Sequence, residues 1–210
     1  MNQSRKDNQV TVIGEIVSTF TYDHQYYGEK FYTLTLSVER QSGTKDLLPV
    51  IISEHLLETA QDLRGEYVEI KGEYRSFNQV DKTPKMKLYI FAQEAELMAG
   101  DVIYTSSDNE IILHGTVCKE PVYRKTPLGR DITDLLLAVK RPFKHSDYIP
   151  CIVWGRIAKM AGRLQVGDHI TLIGRIQSRT YKKIFDDGSV EERTCYEVSA
   201  YMCRKEENES

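Results

Sequence analysis

An internal repeat with a spacing of 101 residues is the feature that most constrains the fold of this chain. Shifting the sequence by that interval brings residues 8–49 into register with residues 109–150 without a gap. With one residue inserted in the second copy, residues 65–72 align with residues 167–174. With five more inserted residues, Tyr89 aligns with Tyr196. Self-similarity of this kind indicates one structural unit used twice. The second copy is then expected to have a longer loop near residues 185–193.

Each copy has the pattern of a small β domain. Apolar residues alternate at period 2 in several short runs, as in Val10, Val12 and Ile16, with glycine and polar clusters between the runs. One short helix fits each copy, near residues 55–62 and 156–163, between the third and fourth strands. Five strands and a helix in about 95 residues are typical of a closed barrel such as the OB fold. We therefore predict an all-β protein of two tandem five-stranded OB-fold barrels.

The repeat also sets the domain boundaries. We predict one domain over residues 1–98, a linker over residues 99–108, a second domain over residues 109–205 and a disordered tail over residues 206–210. Four glycines occupy equivalent places in the two copies, and we expect them to be strand bends or bulges: Gly14, Gly72, Gly115 and Gly174.

Charge is divided unequally between the two copies. The chain of 210 residues has a formal net charge of −3, but residues 8–98 carry 9 basic against 14 acidic side chains and residues 109–205 carry 17 against 11. The first copy is thus at −5 and the second at +6. An overall acidic chain is not expected to bind every polyanion, whereas the field of the second copy would attract a phosphate backbone.

No catalytic or metal-binding constellation is recognisable in the sequence. The histidines are dispersed, no glycine-rich loop precedes a helix, and Cys118, Cys151, Cys195 and Cys203 contain no Cys-x-x-Cys pair. We therefore predict a protein that is not an enzyme, needs no cofactor or metal and keeps its thiols reduced. Without a secretion signal or a long apolar run, it is expected in the cytoplasm, away from membranes.

Aromatic and basic residues are interleaved in the second copy. Period-2 alternation over residues 148–154 sends Ile149, Cys151 and Val153 to the core and Tyr148 and Trp154 to the outer face. Arg156 follows directly, and Arg141, Phe143 and Lys144 precede the run. Aromatic faces that stack on bases, together with cations that follow phosphates, bind single-stranded nucleic acid. From the residues alone, a subunit interface or a second small core explains Tyr148 and Trp154 equally well.

Six segments of the second copy, in order, resemble the bacterial single-stranded DNA-binding protein family. The six segments are residues 109–115, 121–129, 137–143, 152–158, 174–181 and 196–198. The resemblance implies an OB fold that stacks bases on the aromatics Phe143, Tyr148, Trp154 and Tyr181. It also implies that basic residues lie near the backbone path, and we assign these to Arg124, Lys125, Arg141, Lys144, Arg156, Arg179 and Lys182.

Two departures limit what the resemblance implies. Family members usually append a flexible linker ending in an acidic tip with a terminal Phe, which recruits replication and repair enzymes, and residues 206–210 lack that pattern. In the first copy, the four stacking positions hold Ser42, Leu47, Ser53 and Gln79. The first copy is therefore expected to have lost this mode of DNA binding. Its own aromatics are predicted to pack the barrel or a protein interface, with a different stacking platform as the alternative: Tyr22, Tyr26, Tyr27, Tyr32, Tyr74 and Phe77.

The sequence thus predicts sequence-nonspecific binding of single-stranded DNA in replication, recombination or repair, mainly through the second domain, by a nucleoid-associated protein. Because the family generally assembles four such domains, a two-domain chain is expected to form a homodimer, with replication proteins as further partners. The alternative is a tandem OB module that binds proteins of a replication, plasmid or phage apparatus, with weak or no DNA binding. A nuclease is a distant third reading, because nothing supplies a metal-binding carboxylate cluster.

Overall fold

The computed structural model describes residues 7–79, 85–99, 108–142, 145–185 and 187–206, and it is almost entirely β. The first half contains the strands β1 (Asn8–Ile16), β2 (Thr21–Tyr26), β3 (Glu29–Glu39), β4 (Lys45–Ser53), β5 (Tyr67–Gln79) and β6 (Lys85–Leu97). The second half contains β7 (Asn109–Val117), β8 (Val122–Lys125), β9 (Asp131–Lys140), β10 (Ser146–Trp154), α1 (Arg156–Ala161), β11 (His169–Ile184) and β12 (Val190–Lys205). Within these described residues, no helix is long and apolar enough to cross a membrane.

The strands of each half pair in a closed circuit. In the first half the order is β1, β3, β4, β6, β5 and back to β1, with β4 and β6 parallel and the other pairs antiparallel. In the second half β7, β9, β10, β12 and β11 repeat this circuit, with β10 and β12 parallel. Five strands in a closed circuit leave no free edge among themselves.

Each half has six strands in the described residues rather than the predicted five. The additional strands, β2 and β8, lie outside the circuits and pair only with β3 and β9 respectively. Both consist entirely of exposed residues. Their lack of apolar alternation explains why the sequence pattern did not reveal them.

The cores follow the period-2 alternation. Along β1 every second residue is buried, and along β10 the predicted row of Ile149, Cys151 and Val153 is at most 2% exposed.

Two of the four glycines are confirmed as bulge positions, because β5 and β11 shift register at Gly72 and Gly174. A methyl group at either glycine would collide with the backbone of the neighbouring strand. Glycine is therefore required for these two strands to cross their partners so closely.

The predicted helix at residues 55–62 is wrong, since residues 54–65 form turns and irregular structure. In the second half the small Ala158 is fully buried on the inner face of α1, and the Thr133 hydroxyl donates to the Ala158 carbonyl at 2.6 Å. The equivalent positions in the first half hold the bulkier Leu57 and Tyr32. A helix there would have neither the space nor this hydrogen bond to seat it against the sheet.

The predicted long loop near residues 185–193 is instead a longer hairpin. β11 and β12 pair out to Ile184 and Val190, and each has 16 residues where β5 and β6 have 13. The registers also place Ala92 opposite Gly72 as Ala200 lies opposite Gly174. The last strands are therefore offset by 108 residues, one more than the alignment of the two tyrosines suggested.

Two predicted boundaries also shift. Asp108, assigned to the linker, is 7% exposed, and its carbonyl accepts from the Ile13 amide at 2.8 Å. Glu206, assigned to a disordered tail, accepts a hydrogen bond from the Thr171 hydroxyl at 2.7 Å. Residues 100–107 and 207–210 of the predicted linker and tail lie outside the described residues.

The two halves join through their first strands. β1 and β7 pair antiparallel, and the pairing places Val10 opposite Ile111, its own equivalent 101 residues later. Asn8 and Val12 pair with Leu113 and Asn109 on either side. An antiparallel contact between equivalent residues has the form of an isologous dimer interface, here within one chain.

Two equivalent contacts, which we call seams, extend this interface. At the first seam the Arg40 guanidinium donates to the Asp46 carboxylate at 2.6 and 2.7 Å and to the Ser178 carbonyl at 3.2 Å, while the Ser178 amide donates to Asp46 at 2.7 Å. At the second seam Arg141 and Asp147 make the equivalent contacts with Ser76 of the first half. Asp46 and Asp147 are buried, and the hydrogen bonds from each ion pair to the serine of the other half fix the halves relative to one another.

Candidate nucleic-acid interface

A cleft of about 1070 Å³ opens on one side of the second half, beside α1. Its walls come from β8, β9, the end of β10, β11 and β12, together with Arg40 of the first half. At the end of β10, Gly155 has a φ of 70° and turns the chain into α1. This left-handed conformation favours glycine, and through it Trp154 and Arg156 both line the cleft.

Basic side chains dominate the lining of the cleft. There are seven of them: Arg40, Arg124, Arg130, Arg156, Lys159, Arg175 and Arg179. The lining includes two carboxylates, and each already has partners. Asp131 accepts from the Tyr123 hydroxyl at 2.6 Å, which lowers the Asp131 pKa, and Glu197 accepts from Gln177 at 2.8 Å. A polyanion in this cleft would therefore meet a net positive field.

Trp154 supplies the aromatic surface of the cleft. The side chain is half-buried, and its indole nitrogen is buried without a hydrogen-bond partner among the described residues. A buried indole N–H without an acceptor is costly in an otherwise satisfied protein. The position suits a side chain whose ring face meets a flat ligand.

Two of the predicted cations have partners at the rim. Arg124 on β8 donates to Asp134 at 2.6 and 3.2 Å, and this hydrogen bonding raises the Arg124 pKa. Arg179 lies 5.8 Å from the centre of the Tyr181 ring, within the range of a cation–π contact, and 3.9 Å from Glu197. Arg156 at the start of α1 is exposed.

The predicted stacking residue Tyr181 lies on the far part of the β11–β12 hairpin, which we call the arm (residues 179–195). Its side chain is 39% exposed and borders a second, smaller depression that also contains Met86 and Leu88 of the first half. Farther out, Lys183 and Arg193 lie 4.9 and 5.5 Å from the Phe185 ring. The arm thus continues the alternation of aromatic and basic groups away from the cleft.

Those of the remaining predicted residues that the structure describes lie apart from the cleft. Lys125 and Lys182 are exposed, on β8 and on the arm. Tyr148 is 44% exposed, and its amide donates to the Ser76 hydroxyl beside the second seam, where Arg141 is ion-paired with Asp147. The predicted residues Phe143 and Lys144 lie outside the described residues.

Sequence reasoning missed three cleft cations of the second half and one of the first. Arg130, Lys159 and Arg175 contribute to the +6 charge of the second copy, but their positions show no periodicity that points to a common surface. Arg40 reaches the cleft only because β1 and β7 bring the halves together. No local pattern could have identified it.

The equivalent surface of the first half has lost both the charge and the tryptophan. Ser53 replaces Trp154, and the cations are replaced as follows: Glu29 for Arg130, His55 for Arg156, Glu58 for Lys159, Glu73 for Arg175 and Phe77 for Arg179.

Aromatic rings lie on this surface of the first half instead. His24 stacks on Phe31 at 4.8 Å, and Phe31 lies 5.7 Å from Phe91. Phe91 stands where the second half has Ser199. A row of rings therefore occupies the face that forms the cleft in the second half.

The aromatics of the first half divide into two groups. Tyr74 is fully buried in the core, whereas Tyr22, Tyr26 and Tyr27 are between 56% and 93% exposed around the β2–β3 turn. Of the predicted alternatives, packing in the barrel is thus right for Tyr74 and does not apply to these three. Their exposure leaves a protein interface or another platform open.

Comparisons with known proteins give sequence matches to the second half. Residues 108–202 match the model of the single-strand binding protein family. Single-stranded DNA-binding protein 3 of Listeria innocua is 37% identical over 81 residues, which are 35% of this chain and 51% of that protein. The single-stranded DNA-binding protein of Clostridium tetani is 37% identical over 81 residues, 35% of this chain and 56% of that protein. This chain thus spans about half the length of these relatives.

A solved structure matches both halves together. The wild-type single-stranded DNA binding protein from Thermus aquaticus superimposes with a TM-score of 0.73 over 99% of this chain and 96% of that one, at 19% identity. A deletion mutant of the same protein gives the same TM-score at 21% identity. At such identities the likeness concerns the fold, and it extends over the whole two-part arrangement.

Proposed function

Since residues 108–202 match the model of the single-strand binding protein family, we propose that this chain binds single-stranded DNA without sequence preference, in replication, recombination or repair at the nucleoid. The cationic cleft around Trp154 is the observation that carries the proposal. It combines a half-buried aromatic ring with basic groups on several sides, as sequence-tolerant binding of a single strand requires.

The two kinds of group have separate roles in this proposal. Trp154 and Tyr181 stack on bases, and Arg124, Arg156 and Arg179 neutralise phosphates along a path from the cleft onto the arm. Stacking contributes roughly 1 to 3 kcal/mol per base and depends little on salt, whereas phosphate contacts weaken as salt rises. The binding step breaks no covalent bond, and we propose no reaction for the chain.

The other predicted residues extend the path at its ends. Lys125 on β8 and Lys182 on the arm are exposed cations beside it, and Tyr148 offers an exposed ring on β10. From the resemblance alone, we propose that Phe143 also stacks on a base and that Lys144 also contacts a phosphate. Arg141 is instead assigned to the second seam, because it does not line the cleft and its guanidinium binds Asp147 and Ser76.

The domain plan is part of the same proposal. Each closed circuit of five strands is taken as one OB-fold barrel, with the first domain over residues 1–98 and the second over residues 109–205. The first barrel has lost the cleft, and its exposed tyrosines, with Tyr27 at 93% exposure, suit contact with a protein. We propose a role in assembly for it, including a homodimer with four barrels.

Titration with oligo-dT over a series of salt concentrations tests the function. We expect saturable binding. A plot of log K against the logarithm of salt concentration should be a straight line that falls with a slope of about −0.7 per phosphate neutralised. Duplex DNA of the same length should bind more weakly, because its bases are not available for stacking. Failure to bind oligo-dT at moderate salt would favour the alternative, a tandem module that binds proteins alone.

A further inference from the structure

The two seams are equivalent in their ion pairs but differ in what surrounds them. Arg40 at the first seam lies near Arg175, and both line the cleft. At the second seam the residue equivalent to Arg175 is Glu73, which together with Arg141 lines a separate cavity of about 330 Å³. The first seam therefore has two neighbouring positive charges, whereas at the second seam the negative charge of Glu73 balances that of Arg141.

Arg175 makes no direct ion pair in the part of the chain that the structure describes, and the nearest acidic influence on it is that of Asp46. Its Nε is buried with no hydrogen-bond partner, and no carboxylate in the described part of the chain forms an ion pair with its guanidinium. Burial lowers the pKa of Arg175, and the positive charge of Arg40 lowers it further. Its counterpart Glu73, by contrast, is satisfied by Arg75 at 2.7 Å and by Gln93 at 2.9 Å.

The acidic groups near the first seam are already engaged. Asp46 accepts from Arg40 through both oxygens and from the Ser178 amide. Glu197 accepts from Gln177 and lies 3.9 Å from Arg179. A half-buried guanidinium beside a second one is unfavourable unless an anion compensates the charge. Guanidinium donors match the oxygens of phosphate in geometry as well as charge.

Arg40 retains donors for such an anion. Its Nε and Nη2 bind Asp46 and the Ser178 carbonyl, and Nη1 makes no hydrogen bond to the described residues. The side chain is 20% exposed at the wall of the cleft. The ion pair with Asp46 therefore holds the guanidinium in place without using all of its N–H groups.

We infer that the first seam is a phosphate site, in which Arg40 of the first domain and Arg175 of the second together bind one backbone phosphate of a single strand lying in the cleft. The inference rests on the proposed function. It gives the first domain, which has no cleft of its own, a direct contact with the ligand of the second domain. The second seam, with Glu73 in place of Arg175, has no such site.

Substitution of Arg175 tests the site, because this residue has no partner whose loss would disturb the fold. Arg175→Gln is expected to weaken oligo-dT binding by about tenfold or more at moderate salt, as for one charge-assisted hydrogen bond, and to make the log–log salt slope shallower by about 0.7. Arg175→Lys should recover part of the affinity and the full slope. Arg40→Lys, which keeps the charge near Asp46, should weaken binding less than Arg175→Gln.

Arg64→Gln is the matched control, since it removes one positive charge from an exposed ion pair on the first domain. It should leave both affinity and slope at the wild-type values. Equal slopes for the wild type and Arg175→Gln, with wild-type binding intact, would overturn the phosphate site alone. If the wild type itself does not bind oligo-dT, the proposed function fails and the site fails with it. Urea unfolding of each variant establishes that it is folded.

Discussion

At the scale of single residues, the position of Trp154 connects the fold to the proposed function. It is the single tryptophan of the chain, at the end of β10, and its ring borders the cationic cleft. Period-2 alternation alone assigned it to the outer face of the sheet. Its fluorescence therefore reports on the cleft without any label.

Stacking of a base on Trp154 should quench its emission. Titration of the intact protein with oligo-dT is expected to dim the fluorescence to a saturable limit. Trp154→Ala should weaken binding by about 1 to 3 kcal/mol, and it should cost less stability than the roughly 3 to 5 kcal/mol typical of a core aromatic. Unchanged emission at saturating oligo-dT, with a large loss of stability in the variant, would place Trp154 in a structural role.

Cation and stacking roles can be separated at Arg156 and Tyr181. Arg156→Ala should lower affinity and make the salt slope shallower by no more than about 0.7, because at most one phosphate contact is lost. Tyr181→Ala should lower affinity and leave the slope almost unchanged, because stacking releases few ions. Oligo-dT titrations at four or more salt concentrations measure both quantities. Interchanged results would mean that the two roles are wrongly assigned.

The residues of the cleft were predictable only in part. Trp154 and Arg156 followed from alternation and adjacency within one strand end, and Arg124 and Arg179 from the family resemblance. Arg40 was not predictable, because it lies on the other domain and reaches the cleft through the pairing of β1 with β7. Contacts between distant segments depend on tertiary structure, which local periodicity does not encode.

At the scale of elements, alternation identified the core strands because one face of each is buried. It missed β2 and β8, whose residues are all exposed, and it favoured a helix at residues 55–62 because the apolar spacing there resembles that of α1. The two copies differ in side-chain bulk at this place, since Leu57 stands where Ala158 is buried on the inner face of α1. The arm was misread as a loop because its polar residues resemble those of a turn.

Shortening the arm should shorten the bound segment of DNA. Removing residues 182–184 and 190–192 deletes three residue pairs and gives β11 the 13-residue length of β5. The arm loses about 10 Å, and the change removes two lysines and two glutamates, so the net charge is kept. With oligo-dT of increasing length, affinity should reach its plateau at a shorter oligonucleotide. An unchanged plateau would show that the arm lies off the path.

At the scale of the whole molecule, the chain is arranged like a dimer. β1 and β7 pair through equivalent residues, and the seams repeat one set of contacts twice. Because the partner of β7 is its own counterpart, a second β7 presents a similar edge. The interface used within the chain could then form between two copies of the second half.

The isolated second half should therefore dimerise. Residues 108–206 alone would expose β7, and pairing β7 with the β7 of another copy would cover it, with Ile111 opposite Ile111. Light scattering should give about twice the mass of one segment, and each copy should still show Trp154 quenching with oligo-dT. A monomer at every concentration tested would show that β1 has features that β7 cannot replace.

The difference between the seams also shows what substitutions a repeat encoded by one gene can accumulate. In an assembly of identical subunits every substitution appears twice, so a pair such as Arg40 and Arg175 on one side would have to recur on the other. Carrying both copies of the repeat in one gene removes that requirement, because each codon is then expressed at one place only. Glu73 and Arg175 could diverge independently. The first seam could then gain a ligand contact while the second seam kept balanced charges.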